Sequence, residues 1–317
     1  MEFARPFTSR SRFSREGHWF SRVKHHSDGR TTPTPRSARF LLSGHHPKQQ
    51  SGAATRPARS LPTTMQTQKW PARMWLVRHG QSAGNVARDS AEAAGHARID
   101  IATRDVDTPL SDLGRQQAQA LARWFRSLPA AEQPTSVLTS PYLRSLETAQ
   151  ITVAAMSGDV RVVPDERLRE KEFGILDRMT SHGIRATYPS LSDQRQHVGK
   201  FYFRPPGGES WCDVILRLRS MLDTIVRDYR GERVVIVGHQ VVVNCFRYLL
   251  ERLNEAEILS IDRAADVPNC GVTAYAFDRT AGVNGKLVLT SVNFVAPLLD
   301  AGAPVTTAPD VPAGPKS

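Results

Sequence analysis

Two short apolar runs in this chain each end in a histidine. Met74-Trp75-Leu76-Val77 leads into Arg78-His79-Gly80, and Val234-Val235-Ile236-Val237 leads into Gly238-His239-Gln240. A single histidine at the end of a strand is usually structural. Two at equivalent strand ends, each beside a glycine, point to a shared site, because ligands of open α/β sheets bind where strands end. Metal binding fits poorly: two histidines are an incomplete ligand set, and their neighbours are arginines. An anion fits better. Arg78, Arg144, His79, His239 and Asn85 offer positive charge and hydrogen-bond donors, and the planar arginine fork matches phosphate. At about 4 Å and an effective dielectric near 20, each charge pair contributes about 4 kcal/mol before desolvation.

That setting defines the chemistry. Neighbouring cations favour the neutral form of an imidazole, which is a nucleophile able to attack phosphorus and form a phosphohistidine. The leaving alkoxide then needs a proton from a carboxylic acid kept protonated by burial close to the phosphate cage. Glu170 is the candidate, with Glu172 as the alternative.

The elements that must position these groups follow from the pattern. Residues 74–77 and 234–237 read as buried strands, and 136–139 and 160–163 as two more. Residues 83–106 read as loop with some helix. Ser111 is a plausible N-cap for a helix carrying Leu113, Leu121, Trp124, Phe125 and Leu128, which Pro129 stops. Gln116 and Gln117 read as solvated. Tyr142 opens a helix to about Ala155, with Arg144 in its first turn, where a cation opposes the helix dipole unless an anion intervenes. Residues 177–208 read as a partly helical lid. A helix from about Glu209 to Tyr229 carries Val214, Leu216, Leu218, Met221, Leu222, Ile225 and Val226 as its apolar stripe, and a further helix covers 241–253. Residues 272–277 and 286–293 close the sheet around a turn with Gly282 and Gly285. Strands alternating with helices from 74 to 253 imply an α/β domain with a largely parallel sheet.

Composition bounds the rest. The chain has 317 residues and a formal charge of +11. Of its 42 Lys and Arg, 13 fall in residues 1–72 against three acids, leaving 29 basic and 28 acidic residues beyond. Residues 1–72 are therefore expected to be a disordered basic leader. A transit peptide, a nucleic-acid or membrane-surface tail, and a start-site artefact with Met65 or Met74 as the true start all remain open for it. Residues 73–296 form the domain, and 297–317, rich in Pro, Ala and Gly, are expected to be a disordered tail. The near-neutral domain argues against a nucleic-acid footprint, and no apolar run is long enough to span a membrane. Cys212, Cys245 and Cys270 have no metal-ligand spacing and read as reduced thiols of an intracellular protein.

Arg78-His79-Gly80-Gln81-Ser82 with Asn85 resembles the signature of the histidine phosphatase, or phosphoglycerate mutase-like, superfamily. Four further blocks follow in that family's order: Asp107-Thr108-Pro109-Leu110-Ser111 with Gly114 and Gln117-Ala118; Ser140-Pro141 with Arg144 and Thr148-Ala149; Leu168-Arg169-Glu170 with Phe173-Gly174; and Gly238-His239. The resemblance implies a three-layer α/β/α sandwich and metal-free phosphoryl transfer with no cofactor. It assigns His79 as the phosphorylated nucleophile, Arg78, Asn85, Arg144 and His239 as the phosphate pocket, and Glu170 as proton donor. Two positions depart from it. Asp177-Arg178 stands where the family often has Glu-Gly or Gln-Gly, and Gln240 stands where glycine often follows the second histidine. Arg204-Pro205-Pro206-Gly207-Gly208-Glu209-Ser210 is similar to a loop of the fructose-2,6-bisphosphatase branch. This makes Arg204 a candidate for a second phosphate, with Gln81 and Ser82 as further substrate contacts.

The expected function is hydrolysis of phosphate monoesters, of sugar phosphate or bisphosphate type. The alternatives are a phosphoglycerate mutase and a non-catalytic phospho-ligand or nucleic-acid binding protein. The expected partner is a small phosphate ester, and the expected location is the cytoplasm, or an organelle if the leader is a transit peptide.

Overall fold

The computed structural model describes residues 68–156 and 158–307. The expectation for the leader falls, but for residues 68–72, outside the described residues, as does that for 308–317. The chain runs β1 (Arg73–Arg78), α1 (Ala83–Ala93), α2 (Asp112–Ser127), β2 (Ser136–Thr139), α3 (Leu143–Ala154) and β3 (Val162–Pro164). It continues with α4 (Ser181–Thr187), α5 (Pro189–Val198), α6 (Trp211–Asp228), β4 (Arg233–Gly238) and α7 (Gln240–Glu251). The last elements are α8 (Glu255–Ala264), β5 (Val272–Asp278), β6 (Lys286–Phe294) and α9 (Ala296–Asp300).

The strands form one sheet in the order β3-β2-β4-β1-β5-β6. β1, β2, β3 and β4 pair in parallel, and β5 runs antiparallel to both β1 and β6. The sheet is thus mixed and mostly parallel, flanked by helices. Alternation along the central strands divides two apolar layers. Met74, Leu76, Val234 and Ile236 pack with Trp211, Val214, Leu218, Phe246 and Ile258. Trp75, Val77, Val235 and Val237 pack with Leu121, Phe125, Ala149 and Leu298. Each fully buried side chain of this size contributes about 1.5–3 kcal/mol.

Several expectations change. Residues 83–93 are a full helix, α1, because Ser82 and Asn85 form a reciprocal capping box at its start. Leu216 is 65% exposed and lies off the α6 stripe. Gln117 is not solvated: it is fully buried, accepts from the Gln81 backbone N–H, and donates to Pro304 O and Thr306 Oγ1. Residues 297–307, expected to be disordered, carry α9, with Leu298 fully buried, and a strap whose Thr306 carbonyl accepts from the Asn269 N–H. Apolar contact and backbone pairing outweigh a composition that reads as disordered.

The candidate active site

The register of the sheet brings the two histidines together. Arg78 pairs with Gly238 across β1 and β4, and the His79 N–H donates to Gly238 O at 2.9 Å. Both strands end at the same level, so the two rings lie edge to face with centroids 5.2 Å apart. The turn after β1 is locked from several sides. The Gly80 N–H donates to Thr148 Oγ1, Asn269 Nδ2 donates to His79 O, and Gly80 and Gly114 meet backbone to backbone.

His79 Nδ1 lies 2.7 Å from Gly80 O, and Arg144 Nε donates to His79 Nε2 at 3.2 Å. Together these define the neutral tautomer with its proton on Nδ1 and its lone pair on Nε2. Burial holds the His79 pKa well below the ordinary histidine range, and Arg144 and Arg78 lower it further. His239 is lowered too, first by burial, then by Arg144 and His79. Its Nε2 is 2.8 Å from Ser140 Oγ at the end of β2, and its Nδ1 is 3.3 Å from Glu170 Oε2. Glu170 is 3% exposed, and its Oε1 accepts the Lys171 N–H at 2.7 Å.

Arg144 projects from the first turn of α3 and is 5% exposed. Its guanidinium also donates to the backbone and carboxylate of Asp105 and lies over the Tyr142 ring. Asn85 Oδ1 accepts from Ser82 N–H and Oγ–H, which turns the amide N–H groups the other way. Arg78 is fully buried behind the pocket wall, where it donates to Val267 O and Gln240 Oε1. Gln240 in turn donates to Asp266, so this departure from the family pattern fastens an arginine.

An open pocket at this site is lined by His79, Ser82, Asn85, Arg144 and Glu170. Its other walls include Arg88, Ile99, Ile101, Phe173, Asp177 and Arg178. Among the described residues, no group of three or more His, Cys, Asp or Glu side chains is placed to hold a metal ion.

Three sequence candidates lie elsewhere. Gln81 points into a structural network, with its Oε1 accepting from Ser111 Oγ. Arg204 does not line the pocket; it pairs with Asp213 at the start of α6, an interaction that a family loop motif does not reveal. Glu172 is also off the pocket lining. Sequence reasoning missed Arg88, Asp105 and Ser140. Only Ser140 carried a signal, being the strand-ending residue of a recognised block.

Comparisons with known proteins bear on the family. The profile of the Histidine phosphatase superfamily (branch 1) matches residues 74–288. The chain is 34% identical over 185 residues to phosphoglycerate mutase-like protein 4 of Arabidopsis thaliana, covering 57% of this chain and 70% of that one. It is 29% identical over 221 residues to a 6-phosphofructo-2-kinase/fructose-2,6-bisphosphatase of Caenorhabditis elegans, covering 67% of this chain but only 43% of that protein. Among solved structures, Bacillus stearothermophilus YhfR superposes with a TM-score of 0.54 at 26% identity, covering 69% of this chain and 95% of the other. With paired histidines at adjoining strand ends and the profile matched over residues 74–288, this chain belongs to the histidine phosphatase superfamily.

Proposed function

We propose that the protein hydrolyses phosphate monoesters through a phosphohistidine at His79. The observation that carries this reading is the His79 ring. Its Nδ1 proton is held by Gly80 O, so Nε2 is the basic nitrogen and it faces Arg144. In the first step the Nε2 lone pair forms a bond to phosphorus as the ester P–O bond breaks, and Glu170 gives its proton to the leaving oxygen. In the second, water adds to phosphorus, Glu170 takes a proton from it, the N–P bond breaks and inorganic phosphate leaves. Arg144 and the Asn85 amide bind the phosphoryl oxygens, with the field of Arg78 and His239 behind them. A positioned general acid of this kind is worth about 10²–10⁴-fold.

Phosphate release from a panel of monoesters tests the activity. Rapid quenching with a ³²P-labelled ester tests the route, with an acid-labile, alkali-stable label expected on the protein. Absence of both release and label across the panel would sink the reading. Transfer back to an alcohol is the second reading, supported by the mutase-like plant relative. Interconversion of phosphoglycerates that requires 2,3-bisphosphoglycerate, without steady phosphate release, would select it.

A further inference from the structure

Arg178 is one of four non-glycine residues with positive φ among the described residues, at 58°. Glycine occupies that region without strain, whereas an arginine there is strained and invites a functional reason. Its side chain lines the same pocket as His79 and Arg144, and it belongs to neither the phosphate cage nor the proton-donor group. The side chain is about one-third exposed, at the edge of the pocket. Its Nη1 and Nη2 donate to Ile101 O at 3.2 Å and Thr103 O at 2.9 Å, on the facing wall. A neutral carbonyl offers a guanidinium no opposite charge and no bidentate fork, whereas a carboxylate or phosphate offers both.

The surrounding charges leave this arginine in place for a ligand. Arg88, 4% exposed, lines the same pocket from α1. Of the acids on the wall, Asp105 is engaged by Arg144. Asp177 Oδ2 lies 3.7 Å from Arg178 Nε, beyond hydrogen-bond distance. Arg204, the sequence candidate for a second anion, is turned away toward Asp213.

We infer that Arg178 is a specificity-determining residue that recognises a second anionic group, carboxylate or phosphate, on the alcohol part of the substrate. The preferred substrates are then phosphate monoesters with two anionic ends, one in the cage around His79 and one at Arg178. The inference rests on the phosphatase reading of this pocket.

Three probes on one three-carbon skeleton test it: glycerol 3-phosphate, 3-phosphoglycerate and glycerol 1,3-bisphosphate. The full chain is expected to favour at least one of the two dianionic-end probes over glycerol 3-phosphate by tenfold or more in kcat/KM, and which one it favours identifies the second group. Arg178→Gly is expected to fold, because glycine suits φ of 58°, and to reduce that preference about tenfold. Two results overturn the inference: no preference in the unaltered protein, or an Arg178→Gly variant that slows all three probes equally, as loss of a mere latch on the 101–103 wall would do. Calorimetric binding of the same probes to His79→Ala reads the subsite without turnover. If no probe is hydrolysed, the wider monoester panel decides the phosphatase reading, while a preference in binding that depends on Arg178 keeps the subsite and its absence removes it.

Discussion

Arg144 holds Asp105 by three hydrogen bonds while turning its Nε–H to His79. Nη1 donates to the Asp105 carbonyl at 2.7 Å and to Oδ1 at 3.0 Å, and Nη2 to Oδ2 at 3.3 Å. A carboxylate therefore sits in the fork that a phosphoryl group would use. Asp105 stands two residues before the Asp107–Ser111 block, in a 3-10 turn, and its contact with Arg144 is 39 residues away in sequence, so the block alone does not reveal it.

The first prediction follows from that competition. Asp105 is 41% exposed, so its pair with Arg144 is screened and contributes about 0.2–1 kcal/mol. Asp105→Asn should free the fork and tighten inorganic phosphate, read as a product-inhibition constant, by up to about fivefold. Weaker phosphate binding would show instead that Asp105 steers Arg144.

His79→Ala removes the atom that bonds to phosphorus and should lower turnover by at least about 10⁴-fold, with loss of the quench-stable label. The residual rate is measured on an activated aryl phosphate. A variant that keeps its label would move the nucleophile to another residue, with the adjacent His239 the first to examine.

Glu170→Gln keeps the shape of a side chain that is buried beside His239 and removes its acidic proton. Poor leaving groups need that proton most, so kcat/KM should drop about 10²–10³-fold for alkyl phosphates and far less for nitrophenyl phosphate. Equal losses on both would remove Glu170 from the role of acid.

Gly114 carries a stability prediction. A Cβ there would stand 1.9 Å from Gln81 O and 2.8 Å from its carbonyl carbon, and backbone cannot yield as a side-chain tip can. Gly114→Ala should therefore cost about 3 kcal/mol, at or above the upper range for overpacking. It should also displace the turn that follows His79. Chemical denaturation measures the first effect; a stability loss under 1 kcal/mol would mean that α2 can slide away from the turn.

The legible part of this protein was its periodic part. The strands ending at His79 and His239 showed as unbroken apolar runs, and the cap at Ser111 has clear chemistry. Helix α8 was missed although Asn254 and Glu257 spell a capping box. Its amphipathic face is weak, and apolar periodicity was the stronger cue elsewhere. Arg178 and Asp105 were illegible for another reason. Both lie in irregular segments where direction is set by backbone turns and by distant carbonyls such as Ile101 O, and no short-range pattern encodes these. The strap at 297–307 was misread because its anchor, Leu298, is a single side chain in a Pro- and Ala-rich run.

The histidines also set how stability responds to acid. Burial, reinforced by Arg144, lowers the pKa of both His79 and His239, so each stays neutral in the folded protein at a pH where the unfolded chain binds a proton. Below the unfolded pKa of about 6.5 the unfolded state holds more protons, and stability must fall as pH falls, by about 1.4 kcal/mol per pH unit for each histidine. Above pH 7 neither contributes a slope. Urea denaturation between pH 7.5 and 5 should show the loss, and His79→Gln should reduce it by one proton's worth. The sign matters for chemistry as well: His79 remains an unprotonated nucleophile at mildly acidic pH, so phosphorylation in a single-turnover assay should persist below pH 6. A phosphorylation rate that instead collapses with an apparent pKa near 6.5 would mean that the ring is not shielded by burial and by Arg144.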